Sequence, residues 1–388
     1  MKHALIALAM AACLAGPGLA EPPPAFTPAP PSTRPSRELS PEQQYASDRM
    51  VALVEGWKEI AGAAGFSGEI AFGAVPRRYP ILVSAAQNKD GSVRDAGQLW
   101  RWASVTKQVV ATLVMQQVEA GMIDLDESVA TYLPDFASPN AATITVEHLL
   151  RHQSGLPNPS AMPEGTEGLP AFYLPGSGID PLAFCAGTPT GAPGGDWSYN
   201  NCDYIVAGAL LERVTGKSWR ELVAERIADP AQIYTLSSFP NNEPTVSGIF
   251  GGSPEATQDI AQYQASGALY GRPSDVIKFD LALMGGKLLG ADALATLWDG
   301  KPELGYMALG QWVFEFPLAG CTDPVRIVER RGAIGGVQVR NFLLPDFGIA
   351  IALFSDRGEG DFDFGEVWQG SGFSHDMLSL AACPQEAA

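Results

Sequence analysis

Basic residues are scarce in this chain of 388 residues. It has 25 Lys and Arg against 43 Asp and Glu, which gives a formal net charge of −18 at pH 7. Because such a surface repels a phosphate backbone, the charge argues against nucleic-acid binding and is explained most simply by solubility. The sequence also lacks a Cys-x-x-Cys pair and its four His are scattered. A zinc site is therefore not expected, and no cofactor or metal is implied.

Long apolar runs are also missing: beyond the N-terminus, none is long enough to cross a bilayer, so no transmembrane segment is expected after signal removal. The N-terminus itself has the pattern of an export signal, with Lys2, an apolar stretch at 4–15 and small residues at 18–20. We predict a signal peptide over 1–20 and a periplasmic or secreted protein. The alternative is a lipoprotein-type site that would leave a lipid anchor on Cys13.

The segment 21–39 is rich in Pro, Ser and Thr and has little apolar surface to bury. This composition predicts a disordered leader, followed by one domain over 40–388. Besides Cys13, the cysteines are Cys185, Cys202, Cys321 and Cys383. An even count in an exported chain permits two disulfides, for which three pairings exist. We favour Cys185–Cys202, which closes a short loop, and Cys321–Cys383.

Strand-like and helix-like patterns occupy different parts of the chain. Strands are predicted near 68–75, 80–86, 325–329, 337–344 and 349–354, and helices near 40–62, 103–120, 206–214, 274–284 and 373–382. The connections between neighbouring strands are short, which favours antiparallel pairing. The predicted fold class is α+β: a mainly antiparallel sheet built from both chain ends, flanked by helices, with a mostly helical region inserted.

A serine and a lysine stand three residues apart at the start of the most apolar predicted helix. Positions i and i+3 share a helix face, so Lys107 can reach the hydroxyl of Ser104. A lysine among apolar neighbours loses its charge more easily and can act as a base toward that hydroxyl. The alternative is a capping serine with a lysine on the surface. The sequence contains no other Ser-x-x-Lys.

Two further segments carry polar side chains that suit acyl-transfer chemistry. Tyr199 can relay protons beside a lysine, and Asn201 can position an acyl group; the alternative is a loop tyrosine with a helix-capping asparagine. Arg330, Gly332 and Ala333 lie on a predicted strand. The edge of this strand could dock a peptide-like substrate, and the Ala333 N–H could complete an oxyanion hole with the Ser104 N–H. The alternative is a charged strand edge that resists aggregation.

Several segments, in this order, carry a resemblance to a known family: 102–107 (WASVTK), 124–129 (DLDESV), 132–136 (YLPDF), 148–156 (HLLRHQSGL), 199–201 (YNN) and 266–275 (SGALYGRPSD). The chain resembles the serine β-lactamase and penicillin-binding superfamily, in particular its branch of class C β-lactamases, D-alanyl-D-alanine carboxypeptidases and esterases. The match covers about 45–380. It implies a β-lactamase/transpeptidase-like fold and an acyl-enzyme mechanism with Ser104, Lys107 and Tyr199 as catalytic residues.

One position departs from the family pattern. The third motif usually has Lys or His two residues before a glycine, and the matching position here is Arg330, before Gly332. An arginine keeps the positive charge and can bind a carboxylate with two hydrogen bonds, but it does not release its proton. We expect residue 330 to face the pocket and the protein to favour esters over β-lactams.

Three functions follow from this comparison. The first is a hydrolase that forms an acyl-enzyme on Ser104 with an ester, amide or β-lactam, from a small-molecule or peptidoglycan-like substrate. The second is a non-catalytic or slowly acylated penicillin-binding or sensor protein of the envelope. The third is a structural envelope protein that kept only the fold.

Overall fold

The computed structural model describes residues 41–74, 81–165, 168–241 and 243–383. The predicted signal peptide, Cys13 and the Pro-rich leader lie outside the described residues. Within them, no helix has both the length and the apolar character that crossing a membrane requires.

The helices and strands follow one another in an order close to the predicted one. The helices are α1 (Pro41–Ala63), α2 (Thr106–Glu119), α3 (Val129–Tyr132), α4 (Val146–Leu150), α5 (Pro181–Cys185), α6 (Asn201–Thr215), α7 (Trp219–Val223), α8 (Asp229–Ala231), α9 (Pro273–Met284), α10 (Ala291–Leu297) and α11 (Phe373–Ala382). The strands are β1 (Gly68–Ala74), β2 (Ile81–Gln87), β3 (Trp100–Arg101), β4 (Ser237–Ser238), β5 (Ile249–Phe250), β6 (Ser253–Pro254), β7 (Leu269–Gly271), β8 (Trp312–Phe316), β9 (Val325–Ile334), β10 (Val337–Leu344) and β11 (Ile349–Ser355).

The main sheet joins the two ends of the chain. Its six strands lie in the order β2-β1-β11-β10-β9-β8, and every neighbouring pair is antiparallel. The β10–β11 hairpin turns at Gly348, whose φ of +62° suits a residue without a Cβ. The predicted α+β fold, with a helical region inserted between the strands of the sheet, is confirmed.

Alternate side chains of the sheet face two separate cores. On β11, Ile349, Ile351 and Leu353 join the core that includes residues of α1 and α11, whereas Ala350 and Ala352 join the core around α2. This alternation follows from the two-residue period of a strand. The small alanines let the inserted helices approach the sheet closely, and α2 is consequently buried.

The segment before α2 is not regular helix, in contrast to the single helix predicted over 103–120. Residues Ala103–Val105 form a 3-10 turn, and the α-helix begins at Thr106. Ala103 has φ +46°, a conformation that is unfavourable for a residue with a Cβ. The backbone is therefore strained immediately before Ser104, at the point where a functional side chain is predicted.

The last strands differ from the prediction in two places. Strand β8 was not predicted, and the strand predicted over 325–329 and the strand expected at Arg330–Ala333 form one continuous strand, β9, which ends at Ile334. The charged run at 329–331 interrupts the apolar pattern of β9. It can nevertheless lie in a strand, because Glu329 accepts hydrogen bonds from both Arg331 and Arg340.

Two disulfides tie these elements together. Cys185 at the end of α5 is bonded to Cys202 in the first turn of α6, and Cys321 in the loop before β9 is bonded to Cys383 just after α11. This is the pairing that the sequence analysis favours.

Candidate active site

Ser104 lies where the turn before α2 meets the end of β9. A Cβ added to Gly332 of β9 would lie 2.7 Å from the Trp102 carbonyl oxygen and 3.0 Å from the Ser104 nitrogen. Only a glycine permits this approach of the two backbones. Ser104, Gly332 and Ala333 line a cavity of about 720 Å³.

The Ser104 hydroxyl has two side-chain partners. Its Oγ is 2.5 Å from the Tyr199 Oη and 3.2 Å from the Lys107 Nζ. The structure therefore brings together the three residues that the sequence analysis predicts to be catalytic, although they come from two separate segments of the chain.

Lys107 is completely buried, which excludes the surface lysine considered as an alternative. Besides Ser104, its Nζ donates to Asn201 Oδ1 at 2.8 Å and to the Ser266 carbonyl at 2.8 Å. Burial lowers the pKa of Lys107 well below its usual value, and the positive charge of Arg330 lowers it further, against an opposite effect of Asp203. The Lys107 amine therefore loses its proton more easily than an exposed lysine does.

Tyr199 lies in the loop before α6, and its ring is close to two basic side chains. The Lys107 Nζ is 4.8 Å from the ring centroid and the Arg330 guanidinium carbon is 5.4 Å from it. The Arg330 Nη2 also donates to the Tyr199 Oη at 3.2 Å. Negative charge that develops on the phenol oxygen would be stabilised by this donor.

Asn201 lines the cavity, but its polar atoms are already engaged by the protein. Its Oδ1 accepts from Lys107, and its Nδ2 donates to Tyr173 Oη at 2.8 Å and to Ser160 Oγ at 3.3 Å. The helix cap is provided by the preceding residue, Asn200. Asn201 is thereby placed to hold the amine of Lys107.

Arg330 faces the cavity, as predicted, and only 1% of it is exposed. Its Nε donates to the Ser104 carbonyl at 2.9 Å, and its guanidinium carbon is 5.4 Å from the centroids of both the Tyr199 and Trp312 rings. Its Nη1 is buried and has no hydrogen-bond partner among the described residues. No carboxylate of the described chain lies within 4.0 Å of the guanidinium, so its charge is unpaired.

The next arginine has a different environment. Arg331 forms ion pairs with Glu329 at 2.7 Å and Glu366 at 2.5 Å, and its guanidinium carbon lies 5.2 Å and 4.9 Å from the ring centroids of Trp312 and Trp368. Its charge is therefore compensated, and it packs as part of the cavity wall.

The edge of β9 is open beside Ser104. Pairing with β8 ends where Trp312 faces Glu329, so the residues from Arg330 onward have a strand neighbour only on the β10 side. Ala333 is exposed and lines the cavity. The arrangement suits the predicted docking of a substrate along this edge, while the role of Ala333 in an oxyanion hole stays a prediction.

Some residues of the site were missed by sequence reasoning. They include Trp312 on the unpredicted β8, Tyr173 against Asn201, the Ser266 carbonyl on Lys107, and a buried His152–Asp203 pair near Tyr199. His152 and Ser266 lie in segments whose resemblance to the family was noted, so the signal was present without a role attached to it. Nothing in the local pattern identified Trp312.

Comparison with known proteins agrees with this fold. The family model Beta-lactamase matches residues 83–370, most of the chain. The chain therefore belongs to the β-lactamase family.

Individual relatives differ in their activities. The chain is 34% identical over 175 residues to Esterase EstB of Burkholderia gladioli, a match that covers 40% of this chain and 43% of EstB. It is 26% identical over 304 residues to Penicillin-binding protein 4 of Amycolatopsis lactamdurans, covering 65% of this chain and 73% of that protein. The chain thus spans less than half the length of EstB. It likewise spans 46% of the putative penicillin-binding protein PbpX of Bacillus subtilis (strain 168).

A solved structure supports the fold independently. The D-amino acid amidase from Ochrobactrum anthropi SV3 matches with a TM-score of 0.68 at 21% identity, over 85% of this chain and 99% of that one. At this identity the likeness establishes the fold alone.

Proposed function

We propose that this protein is a serine hydrolase that forms an acyl-enzyme on Ser104. The observation that carries the proposal is the environment of Lys107, a fully buried amine that contacts the Ser104 hydroxyl and two protein acceptors. A hydroxyl is a weak nucleophile until a neighbouring base takes its proton, and this amine is suited to be that base.

The hydrogen bonds of Lys107 support a path for the proton. A neutral amine has two N–H groups and one lone pair, and Asn201 Oδ1 and the Ser266 carbonyl each accept one N–H. The lone pair then points to Ser104 Oγ, 3.2 Å away, and can accept its proton as Oγ bonds to the substrate carbonyl carbon. The bond to the leaving group breaks when the tetrahedral intermediate collapses.

Tyr199 carries the proton onward. Its Oη, 2.5 Å from Ser104 Oγ, can pass a proton from Lys107 to the leaving group and take one from water during deacylation. The Arg330 Nη2 at 3.2 Å stabilises the phenol oxygen whenever its proton is in transit. Water then cleaves the ester to Ser104, which releases the acid and restores the hydroxyl.

Arg330 bears on the substrate class. Its guanidinium donates to the Ser104 carbonyl and the Tyr199 hydroxyl, but a guanidinium does not supply a proton to a leaving nitrogen. Esters leave as alkoxides or phenolates, which need less proton donation than amines do. We therefore propose that small esters are the better substrates and β-lactams the weaker ones, in line with the relation to EstB.

The test compares kcat/KM for one activated ester and one cephalosporin in the natural protein and in Arg330→Lys. We expect the ester to be preferred and Arg330→Lys to narrow the gap. The matched control is Arg326→Lys on the same strand, whose guanidinium lies over Trp298 and does not line this cavity. Efficient cephalosporin turnover with poor ester turnover would overturn the substrate assignment. Covalent labelling by a fluorescent penicillin without turnover of either substrate would instead assign a slowly acylated penicillin-binding protein.

We also propose that the protein is exported. The two disulfides support an oxidising compartment. The intact mass of the mature protein tests this: a chain beginning at Glu21 is expected, and a lipidated chain beginning at Cys13 would establish the alternative. An uncleaved N-terminus would contradict both.

A further inference from the structure

A histidine and an aspartate form a fully buried pair behind Tyr199, and the mechanism above does not use them. His152 Nδ1 is 2.8 Å from Asp203 Oδ2, and both side chains are 0% exposed. Asp203 Oδ1 accepts a hydrogen bond from the Ser154 hydroxyl. Burying two titratable groups is costly, so this pair needs a reason beyond packing.

His152 contacts the chain on both sides of Tyr199. Its carbonyl accepts from the Ser198 N–H at 2.9 Å, and its Nδ1 accepts from the Asn200 N–H at 3.3 Å. Its ring lies against the Tyr199 ring, with centroids 4.7 Å apart. His152 also has φ +62°, a conformation unusual for a residue with a side chain. The strained backbone and three contacts indicate that this residue fixes where Tyr199 stands.

The contact with Asn200 determines where the proton of the pair lies. A backbone N–H can donate to Nδ1 only if Nδ1 carries a lone pair. Asp203 Oδ2, at 2.8 Å from the same nitrogen, must then be the donor of the second hydrogen bond, which requires a protonated carboxyl group. The imidazole is then neutral, with its hydrogen on Nε2.

The surrounding charges favour the same state. Burial lowers the pKa of His152 well below its usual value, and the nearby charge of Arg330 lowers it further. Burial raises the pKa of Asp203 well above its usual value, against the hydrogen bond from Ser154. Both shifts are in the direction of a neutral acid beside a neutral imidazole.

The other titratable groups near the pair lie on four secondary-structure elements and one loop. They are Lys107 on α2, Arg330 on β9, Tyr204 on α6, Tyr199 in the loop before α6, and Arg151 at the end of α4. The cationic groups among them oppose a further positive charge on His152. No second carboxylate of the described chain forms an ion pair with His152.

We propose that His152 is the positioning residue of Tyr199. Asp203, in its protonated form, donates a hydrogen bond to His152 Nδ1. This hydrogen bond holds the imidazole in the orientation that places the Tyr199 hydroxyl against Ser104. The importance of this position for turnover rests on the proposed function. The protonation state of the pair does not, because it can be measured in a protein that turns over nothing.

The first experiment measures that state directly. The mature protein is labelled with ¹⁵N-histidine, and the signals of His152 are assigned by their absence in His152→Asn. Nδ1 is expected to have the chemical shift of an unprotonated ring nitrogen and Nε2 that of a protonated one at neutral pH. A protonated Nδ1, or an imidazolium ion, would overturn the proposal.

The second experiment uses ester turnover. Asp203→Asn keeps a donor toward Nδ1 and should retain kcat within about threefold. Asp203→Ala removes the donor and should lower kcat by tenfold or more with little change in KM. The reason is that a displaced proton-relay group lowers the rate more than it weakens binding. The control is Asp280→Asn, an equally buried aspartate outside this cavity.

The outcomes separate the two proposals. Equal losses in Asp203→Asn and Asp203→Ala, with folding retained, would contradict a protonated Asp203. Unchanged kcat in both variants would show that His152 does not depend on Asp203 to position Tyr199. If the natural protein turns over no ester, the proposed function fails, while the ¹⁵N measurement still decides the state of the pair. Where Asp203→Ala does not fold, Asp203→Leu provides the comparison without a donor.

Discussion

At the scale of single residues, one buried site contains two basic side chains, Lys107 and Arg330, which have different proposed roles. Arg330 has no carboxylate partner among the described residues and keeps its charge, whereas burial and that same charge favour a neutral Lys107. The arginine therefore acts on the reaction in two ways: it donates to the Tyr199 oxygen and it helps to keep the amine of Lys107 free of a proton.

This coupling predicts a shift in the pH dependence of activity. Lys107 can accept a proton only when neutral, so kcat/KM should fall as the pH drops below its lowered pKa. Replacing Arg330 by Gln removes a positive charge that lowers this pKa, and the pKa of Lys107 should rise. The acid limb of kcat/KM for an ester should then move to higher pH. Arg326→Gln on the same strand is the control, and a limb that stays in place or moves to lower pH in Arg330→Gln would contradict the coupling.

Much of this residue-scale account could be predicted from the sequence. The spacing of Ser104 and Lys107 predicted that their side chains meet, and the shift from Lys to Arg at position 330 was apparent from the glycine spacing. The roles of His152 and Asp203 could not be predicted, because their meeting depends on how two loops pack. A buried histidine has no local pattern that distinguishes it from an exposed one.

At the scale of secondary structure, the site depends on the close approach of β9 to the turn before α2. The added Cβ distances at Gly332 show that any side chain there would press on the backbone of Trp102 and Ser104. Ala103, strained at φ +46°, lies between these two residues. The position of the nucleophile is thus determined by backbone contact between two elements.

We therefore predict that Gly332→Ala lowers kcat/KM by about tenfold or more while the protein still folds, because displacements well under 1 Å already impair a reacting group. Gly62→Ala is the control: this exposed position in α1 has nothing within 4 Å of an added Cβ, and alanine suits a helix. It should leave activity unchanged and stability equal or slightly higher. Ester kinetics and thermal unfolding measure both variants, and full activity in Gly332→Ala would contradict the close approach.

Some of the strands could be predicted from the sequence better than others. Strands β10 and β11 follow the apolar pattern of buried strands and agree with the prediction. Strand β8 was missed because it is short, lies at the sheet edge and alternates incompletely, with Phe314 and Phe316 both partly exposed. The continuity of β9 from Val325 to Ile334 was not apparent, because the charges at 329–331 are compensated by neighbouring side chains, which a linear pattern does not reveal.

At the scale of the whole molecule, the two ends of the chain share one sheet, and a disulfide reinforces this closure. Cys321 and Cys383 are 62 residues apart in sequence, while Cys185 and Cys202 are 17 apart. A crosslink restricts the unfolded chain, and the restriction grows with the length of the closed loop.

Removal of either disulfide should lower the free energy of unfolding. In the chain-entropy treatment the loss is about 4 kcal/mol for the paired change Cys321→Ser with Cys383→Ser, and about 3 kcal/mol for Cys185→Ser with Cys202→Ser. Urea unfolding without reductant measures both. An equal or smaller loss for the longer loop would contradict the entropic explanation, and no loss in either variant would contradict the pairing.

A buried carboxyl group that does not line the cavity, that of Asp280, predicts a pH-dependent stability. Asp280 Oδ1 accepts hydrogen bonds from the side-chain amides of Gln108 and Asn341. Asp280 Oδ2, Gln108 Oε1 and Asn341 Oδ1 have no hydrogen-bond partner among the described residues. Burial raises the pKa of Asp280 well above its usual value, against these two hydrogen bonds. A raised folded pKa means that stability is fully present below the unfolded pKa, about 3.9, and is lost as the pH rises through the folded value.

Asp280→Asn should remove this dependence, because an amide has no proton to lose and can donate to one of the unpartnered oxygens. We expect the variant to be more stable than the natural protein at pH 8, with the difference shrinking toward pH 5. Urea unfolding between pH 5 and pH 8 measures the free energy of unfolding of both proteins. A stability gain from Asp280→Asn that is smaller at pH 8 than at pH 5 would contradict the raised pKa of Asp280.

The most direct test of the central proposal is to trap the acyl-enzyme. The mature protein is acid-quenched during turnover of an activated ester, and its peptides are mapped by mass spectrometry, with Ser104→Ala as the matched variant. The account predicts the added mass of the acyl group on the peptide that contains Ser104, and neither adduct nor turnover in Ser104→Ala. An acyl group on a different residue, or full turnover in Ser104→Ala, would contradict it.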